Sequence, residues 1–266
     1  MNLKNTVTHP WDWWAYQFRV IHRPGIEHIE FWDEQLIEFL VHVLDLKPGM
    51  RLLDVACGSG VHALALARRE IEVVGLDIAP SLVRHCREQA AAAGLTNVTF
   101  VEGDMRELAY HEEFDALTIL GVSFGFFDDE GNQRVLEGIA RALKPEGRAF
   151  LQLADPITFV ESQKQRCYWR EHPEGIYWTK TWYDPYTGVN HAEFRFTDND
   201  GVTHLWDDHE RVRLYTLPEL RQMFTQAGLE IAAVYGDVLL PPIFYGPDWH
   251  REMNVVGRRA RQHSNT

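Results

Sequence analysis

The chain has 266 residues, 45% apolar and 12% aromatic, enough to bury a sizeable core as one domain or as one domain carrying an insertion. Its 26 Lys and Arg against 39 Asp and Glu leave a net charge of −13, a balance that repels a phosphate backbone and disfavours nucleic acid as a partner. The three scattered cysteines, Cys57, Cys86 and Cys167, exclude a disulfide framework and a CxxC zinc site, and no apolar run approaches the roughly 20 residues that span a bilayer.

Residues 1–9 lack the apolar stretch of a secretory signal, so the expected location is cytoplasmic. Residues 10–18, PWDWWAYQF, concentrate aromatic surface near the start, and Pro10 and Asp12 suit the opening of a short helix. Residues 28–46 carry Phe31, Leu36, Phe39, Leu40, Val43 and Leu44 at helical spacing, closed by Lys47-Pro48-Gly49. From 51 to 155 strand and helix then alternate without a break. RLLDVA, EVVGLDIA, VTFVEGD, FDALTIL and RAFLQLA read as strands, with helices between them. Ser81 is expected to cap the helix SLVRHCREQAAAAG, and Gly94 to stop it. Such alternation predicts an α/β protein with a parallel sheet covered on both faces.

The pattern changes after residue 155. IYWTKTWYD, VNHAEFRFTD and THLWDDHERVRLY are β-like runs separated by turn signals, and they predict a small antiparallel meander inserted into the α/β body. Thr216 and Glu219 form a capping box for the last helix, and EIAAVYGD and MNVVGRRA supply two late strands. The expected division is an N-terminal helical lid over 1–46, a core over 47–155, the inserted meander over 156–215, and completing elements over 216–266.

The chemistry centres on LLDVACGSG at 52–60. A strand delivers Asp54 to its carboxyl end, and the backbone turns through Ala56, Cys57, Gly58, Ser59 and Gly60, small residues that let a ligand approach the main chain. The glycine spacing of a dinucleotide site fails, and an acid beside the turn suits a ligand carrying positive charge rather than a diphosphate. Asp77 ends the next strand, where a carboxylate accepts both hydroxyls of a ribose. In EGDM, at 102–105, Gly103 precedes Asp104, which can accept from an adenine amino group, and Met105, which can pack on the ring.

Taken in order, LLDVACGSG, VVGLDIAP, VTFVEGDM, FDALTILGVSFGFF and LKPEGRAFLQL resemble the class I S-adenosylmethionine-dependent methyltransferases, bacterial small-molecule enzymes in particular. The resemblance covers roughly residues 30–155, with weaker echoes in RLYTLPEL and the closing strands. It implies a Rossmann-like, doubly wound sheet of seven mostly parallel strands with one antiparallel strand, the β insertion acting as a lid. It also implies S-adenosylmethionine as cofactor and S-adenosylhomocysteine as product. The implied contacts are Asp54, Ala56, Gly58 and Gly60 for the methionine part, Asp77 and Ile78 for the ribose, and Gly103, Asp104 and Met105 for the adenine. Leu120, Gly121 and Val122 are then expected near the sulfonium. Ala56 stands where the family most often has glycine.

For the acceptor, LGVSFGFF lacks the [DNS]PP[YF] stretch that holds planar amide or exocyclic amino nitrogens. The expectation is therefore a small molecule, with N-methylation ahead of O- or C-methylation. The alternatives are a protein that binds the cofactor without transferring methyl, and RNA methylation. On the meander, even positions such as Ile176, Trp178, Trp182, Phe194, Phe196 and Val212 are apolar, whereas odd ones such as His191, His209, Arg211 and Arg213 are polar. Strand alternation then predicts one apolar and one polar face, with one of them roofing the pocket. His209, His191 and Arg213 are the candidates for orienting or deprotonating the acceptor; a solvated polar face would hold the same residues. WDDHE reads as a charged β-edge, and no metal site is expected. Tyr16 is the residue of the opening segment expected at the sulfonium, with the tryptophans packing against the body or a neighbouring subunit in a homodimer. Neither nucleic acid nor membrane is an expected partner.

Overall fold

The computed structural model describes residues 5–9, 31–162, 167–246 and 252–260. A short strand β1 (Thr6–His9) and helix α1 (Phe31–Leu44) precede the alternating region. That region comprises β2 (Arg51–Val55), α2 (Val61–Ala67), β3 (Glu72–Asp77), α3 (Pro80–Ala92), β4 (Val98–Glu102), β5 (Phe114–Ile119), α4 (Asp129–Ala142) and β6 (Leu143–Leu153). Helix α5 (Pro156–Ser162) leads into β7 (Cys167–His172), β8 (Gly175–Asp184), β9 (Val189–Asp198), β10 (Thr203–Trp206) and β11 (Glu210–Arg213). Helix α6 (Leu217–Ala227), β12 (Leu229–Tyr235) and β13 (Met253–Arg259) finish the fold.

The main sheet has seven strands in the order β12-β13-β6-β5-β2-β3-β4. Only β13 runs against its neighbours, pairing antiparallel with both β12 and β6. This is the Rossmann-like arrangement the motifs imply. Its central strands are apolar on both sides because helices cover both faces. Leu53, Val55, Leu117 and Ile119 pack with Val135, Leu136 and Ile139 of α4 and Leu220 and Phe224 of α6. Leu52, Val73 and Phe150 face the other way, onto Phe39 and Leu40 of α1, Leu64 of α2 and Val83 of α3. Truncating a fully buried ring such as Phe39, Phe150 or Phe224 to alanine is expected to cost about 3–5 kcal/mol.

The second sheet is ordered β1-β10-β9-β8-β7, with β11 also pairing β9. Its pairs are antiparallel except for β1 on β10. Strand β1 is a departure from the expected helical character of the first segment: the four residues Thr6, Val7, Thr8 and His9 zip onto an edge of the inserted sheet. The aromatic stretch 10–18, including Tyr16, lies outside the described residues.

The single-parity division of the inserted sheet does not hold. The four residues between β8 and β9 set a register that pairs Asp184 with Val189 and Tyr177 with Phe196, so odd positions of β8 share a face with even positions of β9. Between β9 and β11 the register joins even to even, Val212 opposite Asn190 and Glu210 opposite Ala192. The buried face therefore carries Tyr177, Thr179, Thr181, Asn190, Ala192, Phe196 and Val212. Ile176 and Trp178, expected on the apolar side, are exposed on the other face.

Two caps can be compared with the sequence. Ser81 lies inside α3; its N-cap is Ala79, with Pro80 opening the helix and the Ala79 amide donating to Asp77 Oδ1 at 2.9 Å. At α6 the capping box is present, with Thr216 N donating to Glu219 Oε2 at 2.7 Å.

Candidate active site

A cavity of about 530 Å³ lies at the carboxyl ends of β2, β3, β4 and β5 and is covered by residues of the second sheet. Its floor is the predicted turn. Ala56, Gly58 and Gly60 all adopt the left-handed region, with φ of 56°, 56° and 75°. A Cβ on Gly58 would meet no protein atom within 4 Å, so the space it would take is left to a ligand. Gly60 serves differently: it caps α2, does not line the cavity, and a Cβ there would stand 2.8 Å from Cys86 Sγ and 3.0 Å from Phe100. It is a packing glycine.

Three carboxylates stand along this floor. Asp54 is buried and accepts from Thr118 Oγ1 at 2.7 Å; burial outweighs that bond and raises its pKa to about 6. Asp77 accepts from Gly58 N and from Ala79 N, both at 2.9 Å, which ties the turn to the start of α3. Burial raises its pKa against the lowering effect of those amides. Its backbone oxygen accepts from Gly103 N at 3.0 Å, which brings the end of β4 alongside β3. Burial pushes Asp104 upward as well, but Arg106 overrides it and holds the carboxyl below its ordinary value. The Arg106 Nη2 to Asp104 Oδ2 distance is 2.5 Å, and the guanidinium lies 4.2 Å from the Phe127 ring centroid.

Of the residues singled out in the sequence, Asp54, Ala56, Gly58, Asp77, Ile78, Gly103, Asp104, Met105, Leu120, Gly121 and Val122 all line the cavity. His191, His209 and Arg213 do not. The register turns His191 to the outer face, where its Nδ1 is 2.9 Å from His209 Nε2 and its ring stacks on Trp182 at 4.9 Å. Arg213 is a structural clamp. It donates to Leu214 O at 2.6 Å and to Glu219 Oε1 at 2.5 Å, and pairs with Asp129 at 3.3 Å. A Cβ on Gly188 would meet the Arg213 guanidinium, which would have to shift out of this clamp.

The sequence reading missed the far wall. Phe126, Phe127 and Phe159 contribute apolar surface, and Asn190, Glu210 and Val212 come down from the second sheet. The SFGFF run held a signal for the first two. The other four, Phe159, Asn190, Glu210 and Val212, depend on strand register and helix placement, which no local pattern encodes.

Residues 52–147 match a family model described as a methyltransferase domain. Over 217 residues the chain is 33% identical to the cypemycin N-terminal methyltransferase of a Streptomyces species, covering 79% of this chain and 84% of that one. The chain belongs to the class I S-adenosylmethionine-dependent methyltransferases. Two solved structures share the methyltransferase's fold. The CcbJ methyltransferase of Streptomyces caelestis is 19% identical with a TM-score of 0.73, over 93% of this chain and 96% of that one. An S-adenosylmethionine-bound amino pentose methyltransferase of Micromonospora echinaspora, from calicheamicin biosynthesis, is 24% identical with a TM-score of 0.62, over 92% and 95%.

The residues present in this methyltransferase fit that cofactor. The open side of Gly58 admits a ligand against the backbone, and buried acids suit its sulfonium and ammonium charges and its ribose hydroxyls. Among the described residues no group of three or more His, Cys, Asp or Glu is placed to hold a metal ion, and no helix is long and apolar enough to cross a membrane.

Proposed function

We propose that this methyltransferase methylates an amine nitrogen of a small molecule. The observation that carries the reading is the shape of the cavity: a polar floor at Asp54, Asp77 and Asp104 continues into apolar walls of Met105, Leu120, Val122, Phe126, Phe127, Phe159 and Val212 beneath the second sheet. A covered pocket of about 530 Å³ suits a small acceptor with apolar framework better than a folded polymer, and the −13 charge also disfavours RNA. The amine is supported by the relatives, one named as an N-terminal methyltransferase and one as an amino pentose methyltransferase.

S-adenosylmethionine supplies an electrophilic methyl group when bound, so the protein's task is mainly positioning. Asp77 and Ile78 hold the ribose, Asp104 and Met105 the adenine, and the turn from Asp54 to Gly58 the methionine part. Leu120, Gly121 and Val122 form the wall beside the reacting centre, and the phenylalanines exclude water from it. Incubating the protein with methyl-13C S-adenosylmethionine and a metabolite extract tests this. A labelled small molecule with the methyl on nitrogen is expected; label on oxygen, carbon or RNA alone would defeat the reading.

A further inference from the structure

The cavity contains one acid that the cofactor does not explain. Glu210 reaches it from β11, on the opposite wall from Asp54, Asp77 and Asp104. Each of those three acids accepts at least one hydrogen bond, whereas among the described residues no donor reaches the Glu210 carboxylate. Beside it on the same face, one pairing step along, stands Asn190, opposite Val212 on β9. Asn190 is 2% exposed, and its Oδ1 is buried with no hydrogen-bond partner. An unpaired buried acceptor such as Asn190 Oδ1 costs about 1–3 kcal/mol, and the half-buried Glu210 carboxylate adds a negative charge beside it, so this wall calls for a ligand that brings donors. Around them the wall is apolar, with Val212, Phe126 and Phe159 also lining the cavity.

We propose that Glu210 and Asn190 Oδ1 form the acceptor subsite, and that the group they receive is a protonated primary or secondary amine. This rests on the N-methylation reading above and names the residues that select the nitrogen. An ammonium offers the positive charge and the two or three N–H donors that both acceptors lack; an alcohol offers one donor and no charge. Burial raises the Glu210 pKa to about 7, which lets the carboxylate take the ammonium proton and frees the nitrogen lone pair. The nitrogen then bonds to the methyl carbon and displaces sulfur, which keeps the electron pair of the broken S–C bond. The proton on Glu210 returns to solvent.

The test uses the full chain saturated with S-adenosylhomocysteine. Probes are titrated calorimetrically in matched pairs: benzylamine with benzyl alcohol, cyclohexylamine with cyclohexanol, and an alanine-initiated tripeptide with its N-acetylated form. Amines should bind the wild type at least tenfold tighter than their neutral counterparts. Glu210→Gln should reduce that ratio to below threefold, Asn190→Leu should reduce it in part, and S-adenosylhomocysteine affinity should stay within twofold in both. No amine preference in the wild type, undetectable binding included, would overturn the inference. So would a preference that survives Glu210→Gln, or a tenfold loss of S-adenosylhomocysteine affinity in that variant, which would place Glu210 on the cofactor side. Transfer of labelled methyl to oxygen or carbon by the wild type defeats the N-methylation reading itself, whatever Glu210 does. An N-methylated product from a protein with Glu210-independent amine binding defeats only the subsite.

Discussion

Thr118 Oγ1 donates to Asp54 Oδ1 at 2.7 Å, and both side chains are buried at the carboxyl ends of adjacent strands. That one neutral donor does not offset burial, and the Asp54 pKa rises from 3.8 to about 6. Between those values the folded chain keeps a proton that the unfolded chain has released, so stability falls as pH rises from about 4 to 6 and then levels. The difference amounts to about 3 kcal/mol. Asp54→Asn removes the penalty. The unliganded variant should be more stable than the wild type at pH 8 by up to about 3 kcal/mol in urea unfolding, with the advantage lost at pH 4. Its affinity for S-adenosylhomocysteine should fall at least tenfold.

Asp77 both ties the turn and lines the cavity. Replacement by alanine would untie Gly58 N and Ala79 N together with any ribose contact. Asp77→Asn is the cleaner variant, since its single carbonyl oxygen keeps one of those bonds. A loss of about 1.5–3 kcal/mol in S-adenosylhomocysteine binding is expected by calorimetry, as for a hydrogen bond to a charged group. Unchanged affinity would remove Asp77 from the site.

Ala56 has φ of 56° where the related enzymes most often have glycine. The left-handed region costs an L-residue with a Cβ about 1–2 kcal/mol, while glycine costs the unfolded state about 0.4–1 kcal/mol in added freedom. Ala56→Gly should therefore stabilise the chain by about 0.5–1 kcal/mol, seen as a raised Tm, with cofactor affinity retained.

Arg213 joins β11 to the starts of α4 and α6 through Asp129 and Glu219 and lies 4.6 Å from the Tyr215 ring centroid. Arg213→Met should destabilise the fold by about 2 kcal/mol, because charge-assisted bonds are lost and Glu219 keeps only Thr216. S-adenosylhomocysteine affinity should be unchanged. His209→Ala should keep turnover within twofold, since its ring is engaged by His191 on the outer face.

The cavity floor was legible because it is built from contiguous strand–turn units. Asp54 to Gly58, Asp77 with Ile78, and Gly103 to Met105 each end a strand, and parallel pairing brings those ends together whatever the rest does. The acceptor wall was not legible for the opposite reason. Whether His191 or Asn190 faces inward depends on how many residues separate β8 from β9, and a shift of one inverts the answer. The parity reading favoured His191, His209 and Arg213, whereas the register presents Asn190, Glu210 and Val212 to the cavity. Strand β1 escaped notice because four residues carry too little pattern, and its partner β10 lies almost two hundred residues away.

The most direct test of the account is the position of the transferred methyl group. The wild-type protein is given methyl-13C S-adenosylmethionine and a metabolite extract, and the labelled product is examined by carbon–proton correlation NMR. The account predicts a single labelled small molecule whose methyl resonance shows correlations across a nitrogen. A labelled methyl attached only to oxygen or carbon, or label confined to macromolecules, would contradict it.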